Sequence, residues 1–331
     1  MDWGLIFENA LVAMFGSDAV IYALIAIGLN VQFGYTGLLN FGQIAFVACG
    51  AYGVAMGVAT FGLSLWLGVF FGLVAAIVLG LLLGVPTLRL RTDYLAIATI
   101  AASEIVRLLL RSVTFSETTG GTDGLQSFSG DFFRLNPLEP GRYGIWRVEY
   151  PASTAWVLIV GWTTVVLCSL LVFALMRSPF GRVLKAIRED ENAVRSLGKS
   201  VTAYKMQSLV LGGVIAALGG VMFAVSRSSV QPDNYATAFT FFAYTALILG
   251  GTARIFGPIV GSMLFWFLLA FTDVALRQAV GADFISPDIL NGNEIGIFRQ
   301  VLVGLGLMAL MIFRPQGIFG DKREVAIDAR R

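Results

Sequence analysis

Long apolar runs separated by short polar stretches divide this chain into nine segments: 19–34, 38–60, 62–86, 93–110, 154–176, 205–225, 236–253, 257–276 and 295–313. A helix needs roughly 20 apolar residues to cross a bilayer core. Runs this long lack the alternation of barrel strands, so helices are predicted. The segment 38–60 differs from the others. It follows Gly34-Tyr35-Thr36-Gly37 with almost no loop and carries Asn40, Gln43 and glycines at 42, 50, 53 and 57. Irregular backbone at membrane depth is tolerated only where protein or a water-filled cavity surrounds it. The segment is therefore expected to be broken or re-entrant, and central. The stretch Trp3 to Phe15 reads either as a short amphipathic helix at the interface or as a short first span. The fold class is all-α, a polytopic transmembrane helical bundle of about 8–10 spans, forming one membrane domain over residues 1–331.

Composition supports a membrane protein. Hydrophobic residues make up 57% of the chain and charged residues 13%, about half the charged share of a soluble domain. Lipid is thus part of the solvent. A net charge of +2 is too small to suggest a nucleic-acid partner. Residues 1–18 contain no Lys or Arg, so they do not read as a secretory signal.

Charge also gives an orientation. If the loop 177–204 faces the cytoplasm, the same side receives 87–92, 254–256 and the tail 314–331. That side holds 15 basic residues with Lys205, against 6 on the other. The positive-inside rule then places the C-terminus in the cytoplasm. The longest exterior element is the loop 111–153. Its Gly120-Gly121-Thr122-Asp123-Gly124, Asn136-Pro137 and Pro140-Gly141 are turn-forming sequences.

The chemistry of catalysis is missing from the sequence. Histidine does not occur, which removes the commonest general base and metal ligand. Cys49 and Cys168 lie in apolar runs and read as small buried hydrophobes. Gly198-Lys199-Ser200 resembles the end of a phosphate loop, but Ala193 occupies the place of its first glycine. ATP binding by that device is not expected. Spans 19–34, 62–86, 154–176 and 236–253 are free of charge, which argues against a proton relay. Glu104 and Arg107 lie one turn apart in 93–110. They read as an intramembrane ion pair that either fixes helix packing or lines a path. Asp273 and Arg299 fall near the outer ends of their spans. Gly212, Gly213, Ala216, Ala217, Gly219 and Gly220 mark a close helix contact, either fixed or sliding.

The most informative element is 177–204. Residues 183, 184, 187, 194 and 197 project to one side of a helical wheel, but Asp190 and Glu191 interrupt that side. A single helix resting on lipid would avoid acids there. The pattern suits short helices joined by a turn, with an apolar ridge and a mixed-charge rim, as a docking surface for a soluble partner requires. An ordinary basic loop containing a helix is the other reading.

Here the residues resemble a known family. Pro179-Phe180-Gly181-Arg182, then Arg188-Glu189-Asp190-Glu191, Ala193 and Leu197-Gly198, are similar to the coupling loop of branched-chain amino acid ABC permeases of the LivM type. Four further stretches match in order. They are Gly28-Leu29-Asn30 with Gly34-Tyr35-Thr36-Gly37-Leu38-Leu39 and Ala51-Tyr52; Leu88-Arg89-Leu90-Arg91 with Tyr94-Leu95-Ala96-Ile97 and Glu104-Ile105-Val106-Arg107; Thr119-Gly120-Gly121-Thr122-Asp123-Gly124-Leu125; and Gly250-Gly251 with Gly257-Pro258 and Arg314-Pro315-Gln316-Gly317-Ile318-Phe319-Gly320. One departure stands out: where the family pattern has a small residue and a histidine, this chain has Asn40 and Gln43.

The resemblance implies an ABC importer permease in a bacterial plasma (inner) membrane. Its partners would be two cytoplasmic ATPase subunits, a second related permease subunit and an external substrate-binding protein. ATP would be bound by the partners, with no cofactor on this chain. Arg182, Arg188, Glu189, Asp190 and Glu191 are expected to form the docking rim and Ile187 and Leu197 the buried ridge, with Gly198 closing the loop. Asn30, Asn40, Gln43 and Thr245 are candidates for the translocation path, because polar neutral groups pass a zwitterion without trapping it. Branched-chain amino acids are the expected substrates. Urea or short amides are the runner-up, followed by a self-sufficient channel or ion-coupled carrier, which would act without ATP. A membrane enzyme or scaffold comes last, for want of a catalytic constellation.

Overall fold

The computed structural model describes residues 2–89, 92–145, 148–281, 292–313 and 317–320. Leu90 lies outside the described residues, as do Arg91, Arg147 and residues 314–316 and 321–331, whose basic side chains entered the orientation count. The chain order is α1 (Trp3–Phe15), α2 (Ser17–Leu29), α3 (Gln43–Ala55), α4 (Leu65–Thr87), α5 (Thr92–Arg111), α6 (Ser116–Thr119), β1 (Leu125–Gln126), α7 (Gly130–Arg134), β2 (Arg142–Ile145), β3 (Val148–Pro151), α8 (Ala152–Arg177), α9 (Pro179–Glu189), α10 (Glu191–Ser196), α11 (Val201–Arg227), β4 (Ser229–Val230), α12 (Ala238–Gly250), α13 (Gly257–Gly281) and α14 (Gly292–Phe313). Each of the nine apolar runs coincides with a helix. Six helices among the described residues are long and apolar enough to cross a membrane.

Helices α2 and α3, each continued by a π turn, and the long α11 form the centre. Small residues let their backbones meet, as the Gly212 cluster suggested. A Cβ on Gly28 would lie 2.3 Å from the Gly212 carbonyl oxygen. Helix α4 uses the same device along one edge. Its buried positions include Gly68, Gly72, Ala76, Gly80 and Gly84, four residues apart and so on one face. Trp66, Phe70, Leu82 and Val85 are exposed on the rest of the helix. An exposed surface this apolar suits lipid.

The segment 38–60 is broken at its start. Residues 38–40 are irregular, followed by a turn at 41–42, and the helix then runs unbroken from Gln43 through a terminal π turn, Met56–Thr60. Those 18 residues span about 27 Å at 1.5 Å each. At their end the Thr60 hydroxyl donates to the Thr118 carbonyl, so the segment crosses the bundle rather than turning back.

Helices α1 and α12 are shorter than a bilayer core. Helix α1, 13 residues long, reaches about 20 Å. It packs beside α13, with Phe7 against Phe267 and Phe271 and the Asp2 amide donating to Gln278. It is too short for the first-span alternative. Helix α12 also has 13 residues, so the run 236–253 is a half-length helix rather than a full span. Glycine ends it: Gly251 adopts φ 107° and Ala253 follows at φ 57°. The connection to α13 is bonded by Asn30, so its irregular backbone is held by protein.

Contacts sort the loops into two ends, as the alternation of spans requires. At one end Asp18 pairs with Arg227, β1 pairs antiparallel with β4, and Arg107 reaches Asp233. At the other, α9 meets the turn after α2, and the Ile318 and Phe319 amides donate to the Leu249 and Gly250 carbonyls.

Candidate functional site

The segment 177–204 folds into two short helices. Pro179 opens α9, where its missing N–H and fixed φ suit the first turn. Asp190 breaks the path with extended backbone, φ −155°, and caps α10: its carboxylate accepts from the Asn192 and Ala193 amides at 2.8 and 3.1 Å. The acid that spoiled a single amphipathic helix is therefore the joint between two.

The apolar ridge divides. Leu184, Ile187, Val194 and Val201 are buried within the chain, Ile187 being 2% exposed. Leu197, 80% exposed, points away from that core. Arg182, Ala186, Glu189 and Ala193 are exposed beside it. Gly198 takes φ +76°, which ends α10 in the left-handed conformation that glycine favours.

The charged rim divides too. Arg188 donates through Nη1 to the Gly34 carbonyl at 2.6 Å, the end of the π turn that extends α2. Gly37 lets the chain pass this side chain, adopting φ +75° against the Arg188 backbone and Cγ. Glu191 pairs with Lys205 at the start of α11. Arg188 and Glu191 thus fasten the loop to its own chain and Asp190 joins its two helices, while Arg182 and Glu189 face outward. A polar cavity of about 470 Å³ separates the Thr36-Gly37 turn from 187–192.

Behind Gly34 lies a polar core. Asn30 accepts from the Ala253 amide and donates to the Arg254 carbonyl, both at 2.8 Å. Asn40 donates to the side-chain oxygens of Gln32 and Gln43 at 3.0 and 2.9 Å. Gln32 and Gln43 then donate to the Leu209 and Gly212 carbonyls, each at 3.0 Å. The Asn40 side chain accepts from the Gly42 amide, and the Tyr244 hydroxyl donates to the Asn40 carbonyl. Thr36 and Ser208 bond at 2.7 Å and both reach the Val31 carbonyl. The three path candidates Asn30, Asn40 and Gln43 are buried, and their amides are engaged within the protein. Thr245 is separate and lines a cavity between α12, α13 and α14.

The model of the family described as "Branched-chain amino acid transport system / permease component" matches residues 11–314. The chain belongs to this family. It is 34% identical over 310 residues to the high-affinity branched-chain amino acid transport system permease protein LivM of Salmonella typhimurium, covering 90% of this chain and 68% of that one. Its identity to the protein of the same description from Escherichia coli is 33% over 309 residues, with the same shares covered. Among solved structures it resembles an inward-facing metal-chelate type ABC transporter, with TM-score 0.44, 17% identity, and coverage of 94% of this chain and 89% of that one.

In this permease Glu104 and Arg107 form the expected pair, 2.5 Å apart, and Asp233 joins them at 2.5 Å from Arg107. Arg111 also reaches Asp233, at 3.2 Å. The cluster ties α5 to the loop before α12 at the end opposite the two-helix segment. Asp233 was invisible as a partner because it lies 126 residues away in the chain. Gln32 was also missed, though its amide between Asn30 and Asn40 in an apolar run was a readable signal. Asp273 and Arg299 are bonded at 3.1 Å. Outside the membrane-spanning segments, burial pushes the Tyr150 phenol up to about 12, and its hydroxyl donates to the Val12 carbonyl.

Proposed function

We propose that the permease is a membrane-spanning subunit of an ATP-driven importer for leucine, isoleucine and valine in a bacterial plasma membrane, with 177–204 and the C-terminus in the cytoplasm. ATP is bound and hydrolysed by separate cytoplasmic ATPase subunits, a related second permease completes the pore, and an external binding protein delivers the amino acid. The supporting observation is the α9–α10 unit. It has an outward face, with Arg182, Glu189 and Leu197, and an inward face fastened by Arg188 and Lys205.

Such a unit can transmit force. A partner that seats the outer face moves α9 as a body, because Leu184, Ile187 and Val194 hold it to the bundle. Arg188 carries that motion to the end of α2, and Asn30 carries it to the connection between α12 and α13. The equilibrium between inward- and outward-open states shifts only by the difference in contacts the partner makes with each. Exposed Leu197 supplies the ridge for the partner cleft.

The test is site-directed cross-linking of the assembled complex with cysteine introduced by Ala193→Cys. Cross-linking to the ATPase that changes with ATP is the expected result. An ATPase that never cross-links at 193, in a complex that transports, contradicts the docking assignment.

A further inference from the structure

An apolar groove of about 490 Å³ lies between α3, α4 and α5. Its floor is small, formed by Ala48, Gly53 and Gly57 of α3 and its π turn, and Val106 and Leu110 of α5 close one side. The groove opens on the lipid-facing surface, where Phe61, Phe71 and Ala75 line it and are exposed. Along α3 it runs from Ala48 to Gly57, a rise of about 14 Å. On α4, Phe71 and Ala75 lie about 9 and 15 Å below the start of the helix at Leu65. The hydrocarbon of a bilayer is about 30 Å thick, so the chains of one leaflet occupy about 15 Å. Further along α4 the groove is closed, because Gly80 packs against Phe46 and Val210. The groove therefore has the depth of a single leaflet. A helix from a second copy of the chain would cross both leaflets and has no seat below Ala48.

The open end lies at the level of the membrane surface. Phe61, Trp66 and Phe115 are exposed there, and aromatic rings gather at the boundary between lipid and water. Arg111 follows Leu110 at the same end. It is 45% exposed and shares Asp233 Oδ1 with Arg107, at 3.2 Å against 2.5 Å for Arg107. Tyr235, in the same turn as Asp233, meets the groove-lining Tyr52 edge-on at 5.8 Å. The charged cluster thus stands beside the groove, with Arg111 as its exposed cation.

We infer that the groove binds an acyl chain of a membrane phospholipid in the leaflet at the end opposite α9–α10, with the lipid phosphate accepting from Arg111. The orientation proposed above makes this the outer leaflet. The chain covers apolar surface that α4 and α5 leave open, and the phosphate gives Arg111 a charge-assisted acceptor beyond the one it shares. Depth, the aromatic level and the cation at the mouth all fit one lipid standing along the membrane normal.

The experiment uses the full-length permease in maltoside micelles, which contain no phosphate. The micelles are doped with a phosphatidylglycerol whose acyl chain carries a mid-chain diazirine. After photolysis the adducts are located by mass spectrometry. Adducts on Cys49 and Met56 are expected to saturate at a low fraction of probe, while those on the exposed Leu82 and Leu167 rise in proportion to it. Ala75→Phe fills the groove from an exposed position and is expected to abolish the Cys49 and Met56 adducts while sparing those at Leu167. Arg111→Gln is expected to raise the probe needed for half-saturation about fivefold, the worth of one basic residue beside an anionic lipid. A diazirine diacylglycerol, which keeps the chains and lacks the phosphate, is expected to need at least as much on the native chain. Groove adducts that rise in proportion to the probe, or that persist in Ala75→Phe, overturn the assignment. Equal half-saturation by the two probes overturns it in favour of a site for any apolar chain. Adducts at Leu82 and Leu167 with none in the groove overturn it and leave the groove to another protein subunit.

Discussion

Asn40→Ala removes the middle of a chain of amides that joins α2, α3 and α11. The substitution deletes the donor to Gln32 Oε1, the donor to Gln43 Oε1 and the acceptor of the Gly42 amide. Three polar groups at a wholly buried site lose their partner. An orphaned buried group costs about 1–3 kcal/mol in soluble proteins. Interhelical hydrogen bonds in a membrane protein average about 0.6 kcal/mol each. The first figure at its lower end gives about 3 kcal/mol for the three, and the second gives about 2 kcal/mol. A loss of about 2–3 kcal/mol is therefore expected, measured by reversible unfolding in mixed micelles. Replacing Gln32, Asn40 and Gln43 together by Leu removes both sides of the Asn40 bonds and is expected to cost less per bond lost, because fewer donors and acceptors are stranded. Stability within about 0.5 kcal/mol of the native chain, a typical effect of a surface substitution, together with altered substrate selectivity, would refute the packing role and return Asn40 to the path.

Other perturbations test separate parts of the structure. Glu189→Lys reverses an exposed charge and is expected to cut ATP-driven uptake with unfolding unchanged, whereas Glu191→Lys opposes Lys205 and is expected to lower stability as well. Gly53→Val places a Cβ 2.2 Å from the Gly72 Cα; two helix backbones must then separate, and a loss of folded protein is expected in size-exclusion profiles. Burial raises the Tyr150 phenol from its ordinary value of 10.0 to about 12, so its contribution is complete below pH 10 and is lost as pH rises to about 12, when the unfolded chain ionises first. Tyr150→Phe is expected to flatten that decline in an alkaline unfolding titration.

The helices themselves were legible because apolar runs of this length leave few alternatives. Depth was not. The run 236–253 looks like a span because hydropathy alone does not show where its helix ends, and the Asn30 side chain that bonds Ala253 and Arg254 lies 223 and 224 residues away from them. In the two-helix segment the pattern revealed the turn, since acids do not belong on a ridge. The role of Asp190 was also readable, as a capping residue before Glu191-Asn192-Ala193. The division of the rim was hidden, because the partners of Arg188 and Glu191 are Gly34, 154 residues away, and Lys205. Asn40 and Gln43 were recognisable as central, but polarity alone does not tell a lined path from a saturated network. The cavity at Thr245 depends on rings from three helices and had no local signature.

Uptake of labelled leucine, and separately of urea, into proteoliposomes tests the central claim most directly. The vesicles hold this permease with the proposed ATPase and second permease subunits, with ATP inside and the proposed binding protein outside. Leucine accumulation that vanishes when either ATP or the binding protein is omitted is the predicted result. ATP-driven urea uptake alone would keep the machine and change its substrate. Leucine entry through this chain alone, indifferent to ATP, would contradict the importer and make it a carrier or channel.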